Sequence, residues 1–276
     1  MTNNPPSSFN NMLIIAMFEL RKFLFNTRGI IALVAFSLVW GVLLLYPIQS
    51  ASAMLLQPNV KDVIDSLFGA NTLNVLFEWP VAEMAVFWCF ALYLFPMFSI
   101  LIAADQFSSD KTRGTLRFLT IRTSRDSLLF GRFLGQILIQ GLLILLTIIA
   151  TVALALSRDS QLFLPALTSG ALVGLNLIIV ILPYTAVMTL LSLYARTARQ
   201  AMVFATILWT VISIAIMVLG SQSSVLAQLQ WVLPGAQLSD MLNTNGLNSL
   251  AYAPIPLIQT AAALLLGRIY MQRSSL

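Results

Sequence analysis

The residues able to do chemistry in this chain are few, and most of them sit together. The segment Asp105–Arg132, reading DQFSSDKTRGTLRFLTIRTSRDSLLFGR, carries six of the 15 Lys and Arg residues and three of the 10 carboxylates. Within it lies a compact apolar set, Leu116, Phe118 and Leu119. Reactive types are scarce elsewhere. Histidine is absent, which removes imidazole acid–base work, a Ser-His-Asp triad and an H-E-x-x-H zinc site. Cys89 is the single cysteine, so neither an intrachain disulfide nor a cysteine-rich metal site is available. The 11 Met residues are scattered without ligand spacing, a pattern of packing thioethers rather than a soft-metal site. No G-x-x-x-x-G-K-[ST] phosphate loop occurs. The chemistry left to residues 105–132 is recognition. Gly114-Thr115 can end one helix and start another, with Thr115 as a candidate N-cap, and Thr123-Ser124-Arg125 makes a second break. A short amphipathic helix between turns suits a groove on a soluble partner. The plain alternative is a basic connection that only fixes topology.

The elements that must position this segment are membrane spans. The chain is 276 residues long, 59% hydrophobic and 9% charged, with mean hydropathy +0.89, far below the charge content of a soluble domain. Six apolar stretches are long enough to cross a bilayer: Gly29–Ile48, Glu83–Ala104, Phe133–Leu156, Leu164–Leu193, Ala201–Leu219 and Leu250–Tyr270. The expectation is an all-α polytopic protein, with residues 1–276 forming a single transmembrane domain. The net charge of +5 does not indicate nucleic acid, because the cations flank the spans. Thirteen of the 15 fall on one side of the alternation, leaving Lys61 and Arg158 on the other. By the positive-inside rule, both termini face the cytoplasm. Ala51-Ser52-Ala53 imitates a cleavage site, but the preceding apolar run is too long for a signal peptide and is expected to persist as the first span.

Ahead of the spans, Phe9, Met12, Leu13, Ala16, Leu20, Phe23 and Leu24 recur at helical spacing. This predicts an amphipathic helix over Phe9–Asn26 lying in the membrane interface, with Glu19 and Lys22 placed to pair. The connections Gln49–Ala82 and Gly220–Ser249 face outward. Val60–Phe68 is expected to form a short surface helix, and Trp79 and Trp231 to anchor at the interface. Glu83 is also placed there, because no carboxylate falls in a span centre. That absence argues against an ion-coupled carrier. Gly131-x-x-x-Gly135 and Gly170-x-x-x-Gly174 permit close helix approach within the chain. Gln136, Gln140, Asn176 and Gln259 either bond between helices or line a pathway, and Pro96 and Pro183 are expected to kink their helices.

The run Asp110-Lys111-Thr112-Arg113-Gly114-Thr115-Leu116, followed by Leu119, Thr123-Ser124-Arg125 and Phe130-Gly131-Arg132-Phe133-Leu134, resembles the signature of type-2 ATP-binding-cassette (ABC) exporter permeases. In that family an acidic residue precedes Gly-Thr-Leu, then come a hydrophobic stretch, Pro-x-Ser-Arg, and Gly-Lys opening the next span. Here Asp110 stands where Glu is commoner, Arg122 where Pro is usual, and Arg132 where Lys is usual. The six-span plan, the N-terminal elbow helix, Tyr194-Ala195-Arg196 and Trp231-Val232-Leu233-Pro234 extend the resemblance along nearly the whole chain.

The resemblance implies a non-catalytic permease of the bacterial inner membrane. It works with two copies of a separate ABC ATPase and with a second permease chain, identical or paralogous. ATP and Mg²⁺ would bind the ATPase, with no cofactor in this chain. The coupling helix would lie around Gly114–Thr120, with Thr115 at its start, Leu116 and Leu119 as apolar contacts, and Asp110, Arg117 and Arg125 setting register by charge. Asp110 alternatively braces its own loop, and Gly114 serves the backbone. Two other readings share parts of this pattern: a non-transporting scaffold or signalling permease, and a secondary carrier.

Overall fold

A computed structural model describes residues 8–57, 60, 74–220, 228–244 and 246–273. Among these residues there is no strand, and the chain is an all-α polytopic membrane protein. That outcome follows from the solvent. Without water, each backbone N–H and C=O must be satisfied inside its own segment, and a helix does so. The expected Val60–Phe68 helix lies, but for Val60, outside the described residues.

The N-terminal helix α1 spans Ser8–Phe25 and turns at Asn26 into α2, Thr27–Leu43. A Cβ at Gly29 would stand 1.8 Å from the Phe23 carbonyl oxygen, so this elbow needs a residue without a side chain. A π-helical turn at Leu44–Ile48 containing Pro47 carries α2 into Gln49–Leu55. Proline has no N–H to close the regular ladder, which accounts for a widened turn at that point. The next span, α3, is Ala82–Ala103. Two short helices follow, α4 (Ser108–Thr112) and α5 (Thr115–Arg122). The remaining spans are α6 (Arg125–Arg158), α7 (Phe163–Tyr194), α8 (Ala198–Gly220) and α9 (Pro254–Arg273). Pro96 and Pro183 lie inside α3 and α7, and both helices continue through them.

Helix α6 begins eight residues before the apolar stretch that marks it in the sequence. Ser124 caps it, its hydroxyl accepting from the Ser127 N–H at 3.0 Å, so the helix starts in the polar segment. Gly131 lies in the extra turns and Gly135 just beyond them, and α1 lies along both. A Cβ at Gly131 would come within 2.9 Å of the Met12 carbonyl oxygen, and one at Gly135 within 3.3 Å of the Ala16 Cα. Gly170 and Gly174 likewise admit the Ile148 side chain, at 2.8 and 3.0 Å from the positions a Cβ would take. Both glycine pairs therefore serve packing within the chain, the expected role of small residues where lipid removes any apolar preference between helices.

The core lies where α2, α3, α6 and α7 meet. Phe36, Trp40, Phe87 and Phe95 pack there, with Trp40 stacked on Phe95 at 5.2 Å between ring centroids. Helices α3, α6 and α7 are bound across the middle by Gln140. Its Oε1 accepts from Ser99 and Thr185, each at 3.0 Å, and Gln140 is buried. Glu83 was placed at an interface by the sequence. In the structure it is buried, and Arg158 grips it bidentately at 2.7 and 3.1 Å.

Candidate functional site at the basic end

The segment 105–132 folds against the end of the bundle where α1, α8 and α9 also carry their cations. Its centre is Arg132, on the second turn of α6 and 5% exposed. Its guanidinium donates to Asp110 on α4 and to the Gln106 carbonyl, and lies 3.8 Å from the Glu19 carboxylate of α1. The Phe107 ring sits beneath it, 4.9 Å from the guanidinium carbon. A planar fork with five donors can meet acceptors spread on several sides at once, where a lysine offers three donors from a single nitrogen. Three chain segments are thereby pinned to one side chain.

Asp110 does the bracing. Besides Arg132, its Oδ1 accepts from the Thr115 hydroxyl at 2.9 Å. Thr115 is thus the first residue of α5 and not its N-cap. Gly114 holds the cap position at φ +69°, a left-handed conformation that favours a residue without Cβ. Helix α5 then turns Leu116 inward, 3% exposed, onto Phe107, Leu128, Leu129, Leu193 and Met271. Leu119 is half-buried beside that cluster. The outward face carries Phe118 and Ile121, 71% and 81% exposed. Arg117 lies within α5, and its side chain is outside the described set.

Two other cations of the segment close helix ends. The Lys111 ammonium donates to the Leu193 and Tyr194 carbonyls at 2.9 and 3.4 Å, at the C-terminus of α7. Arg125 does the same for α9 through Met271 and Gln272, at 2.6 and 3.1 Å. The last carbonyls of a helix have no intrahelical donor and carry partial negative charge, so a cation there satisfies both needs. Arg268 of α9 pairs with Asp126 at 2.7 Å. Gln106, absent from the sequence reading, bonds through Oε1 to the Thr189 hydroxyl at 2.7 Å.

At this end a short two-faced helix is held to the bundle: Asp110 links its first residue to Arg132 of α6, and the flanking Lys111 and Arg125 bond the C-termini of α7 and α9. Such a geometry can pass a push from outside into the bundle. A family model described as "ABC-2 family transporter protein" matches residues 13–267. The chain belongs to the ABC-2 transporter family. It is a permease subunit, the membrane-spanning part of an ABC transporter, and such subunits partner with an ABC ATPase. No curated protein matches the sequence.

The four amides at or within the spans of this ABC-2 permease are not gathered. Gln140 joins three helices as described. Asn176 bonds back to the Leu172 carbonyl at 3.0 Å, and Gln259 donates to the Trp231 and Leu233 carbonyls at 2.7 and 3.2 Å. Gln136 and Gln259 each keep a buried amide oxygen that accepts from no described residue.

Proposed function

We propose that this subunit is an exporter permease whose basic end faces the cytoplasm of a bacterial inner membrane, with α5 as the coupling helix. The observation that supports this is the division of α5. Leu116 and Asp110 anchor one face to the bundle, and Phe118 and Ile121 offer two large apolar side chains on the other. A short helix with exposed anchors fits a groove on a separate ATPase. The sequence reading put the apolar contacts at Leu116 and Leu119, with Asp110, Arg117 and Arg125 setting register; with Leu116 turned inward, this proposal puts the apolar contacts at Phe118 and Ile121. Leu116, Asp110, Gly114, Thr115 and Arg125 hold the helix in place. Cytosolic ATP and the concentration of Lys and Arg at this end agree on its side of the membrane.

The transporter would contain two such permeases, identical or paralogous, and two ATPases. Helix α8 supports a second permease chain, since only 6% of its most apolar window is buried in this one. ATP binding changes the bundle only if nucleotide favours one arrangement of the coupling helices over another.

Affinity purification of the tagged chain from its native membrane tests the reading. The wild type is expected to retain an ABC ATPase, and a Phe118→Ser, Ile121→Ser variant of unchanged thermal stability to lose it. An ATPase retained equally by both, or by neither, overturns the proposal.

A further inference from the structure

Between α1, α2, α3 and α6, beside the elbow, a cavity of about 580 Å³ opens at the basic end. Its polar lining mixes signs. Lys22 and Arg113 supply cations, Glu19 and Asp105 carboxylates. Gln136 lines it too, 7% exposed, and its amide oxygen receives no hydrogen bond from any described residue. Leaving such an acceptor buried without a donor is costly, so this position favours a ligand that brings an N–H. Lys22 and Glu19 lie 3.5 Å apart, and Arg113 makes no ion pair among the described residues.

The cavity does not end at the polar groups. Phe23, Ala32 and Ile102 continue from its wall into a second space of about 190 Å³, bounded by Ala35, Phe36, Val39, Phe98 and Leu143. Nothing in this extension is charged. On α2 the furrow runs from Gly29 to Val39, which is roughly 15 Å at 1.5 Å per residue. A hydrocarbon core is about 30 Å thick, so the furrow covers the depth of one leaflet. Ala32 and Ala35 make it by being small on an exposed stripe of the helix.

We propose that this furrow binds one phospholipid of the leaflet at the basic end, with a phosphoethanolamine head. The phosphate lies between Lys22 and Arg113, the ammonium meets Glu19, Asp105 and the Gln136 amide oxygen, and an acyl chain lies over Ala32 and Ala35. A primary ammonium is favoured over a quaternary one, which has no N–H to donate. An anionic glycerol head would satisfy the cations and leave Asp105 without one. The proposal requires only that the chain sit in a bilayer, and stands apart from the seating of any ATPase.

The test is native mass spectrometry of the full chain in mild detergent. Dioleoyl phosphatidylethanolamine, phosphatidylcholine and phosphatidylglycerol are offered at equal concentration, with free phosphoethanolamine as a fourth arm. One phosphatidylethanolamine per chain is expected, retained about tenfold better than phosphatidylcholine, the scale of one charge-assisted hydrogen bond. Arg113→Gln, a change at an exposed side chain, is expected to reduce retention about tenfold with unchanged thermal stability. Ala32→Leu with Ala35→Leu, which fills the furrow, is expected to abolish it. Equal retention of all three lipids by wild type and variants overturns the site. Retention of phosphoethanolamine as strong as that of the lipid, undisturbed by the furrow variant, overturns the acyl part. A furrow variant that splits a dimer while lipid retention stays constant shows that a second chain fills the space, and overturns the proposal.

Discussion

Two arginines at opposite ends of the bundle pair with carboxylates, and they do different work. Arg158, at the last turn of α6, holds Glu83 of α3 through two parallel bonds, with its own side chain 38% exposed. It joins two helices that already pack side by side. Arg132, near the start of the same helix, has a side chain only 6% exposed and meets Asp110, Glu19 and the Gln106 carbonyl together. Asp110 and Gln106 belong to the connection between two spans, and Glu19 to α1, which packs along α6 at Gly131 and Gly135. The first arginine clips two neighbours, and the second sets the position of a loop. On the proposed function, the end that seats the ATPase has its short helices tied to the spans through Arg132.

Breaking the Arg132 junction should have the largest effect. Arg132→Leu leaves Asp110 beside a low-dielectric wall without its cation and Glu19 with Lys22 alone, and breaking a buried pair in this way costs about 3–5 kcal/mol. A marked fall in the detergent melting temperature is expected, together with loss of ATP-dependent transport. Arg132→Lys sharpens the comparison. An ammonium can satisfy Asp110, but it has no planar fork to reach the Gln106 carbonyl and Glu19 as well. Stability should recover in part, and coupling between ATP hydrolysis and transport should recover less. Equal recovery of both would show that the junction serves folding alone.

Next in size is Gly135→Leu, which wedges α1 away from α6. Overpacking of this kind costs about 1–3 kcal/mol. Because Arg132 meets Glu19 on α1, the wedge should loosen the basic end and leave the Glu83–Arg158 clip in place. Hydrogen exchange measured separately for residues 105–132 and for the start of α3 reads that difference.

Much of the fold was legible because lipid imposes strong rules. Run length marked the spans, and the alternation of Lys and Arg ordered their ends. Gly114 was visible as a backbone requirement, and the structure gives it φ +69°. The site was legible only in outline. Periodicity shows that α5 has two faces, but which face turns inward depends on Phe107, Leu193 and Met271, brought from three other elements. The bonds of Lys111 and Arg125 were not legible, because a sequence does not show which helix C-terminus will stop beside them. Arg132 looked like a conservative replacement in a family pattern. Its real signal was an arginine eight residues into a helix whose N-cap, Ser124, lies well before the apolar run. Gln140 shows the same limit in the membrane: its partners Ser99 and Thr185 are 41 and 45 residues away, on helices whose rotation packing decides.

The smallest expected effect lies at the other end. Glu83→Gln keeps the shape of the side chain and one acceptor oxygen, and removes the charge opposite Arg158. Arg158 is exposed enough to return to water or headgroups, so it is not stranded as Asp110 would be without Arg132. Hydrogen bonds to charged groups are worth about 1.5–3 kcal/mol, and solvent access reduces what is lost here toward about 1 kcal/mol. A small fall in melting temperature with unchanged ATP-dependent transport is the expected result. A loss of coupling as deep as that of Arg132→Leu would mean that the α3–α6 contact at this end moves during the cycle, and that the two arginines do the same work after all.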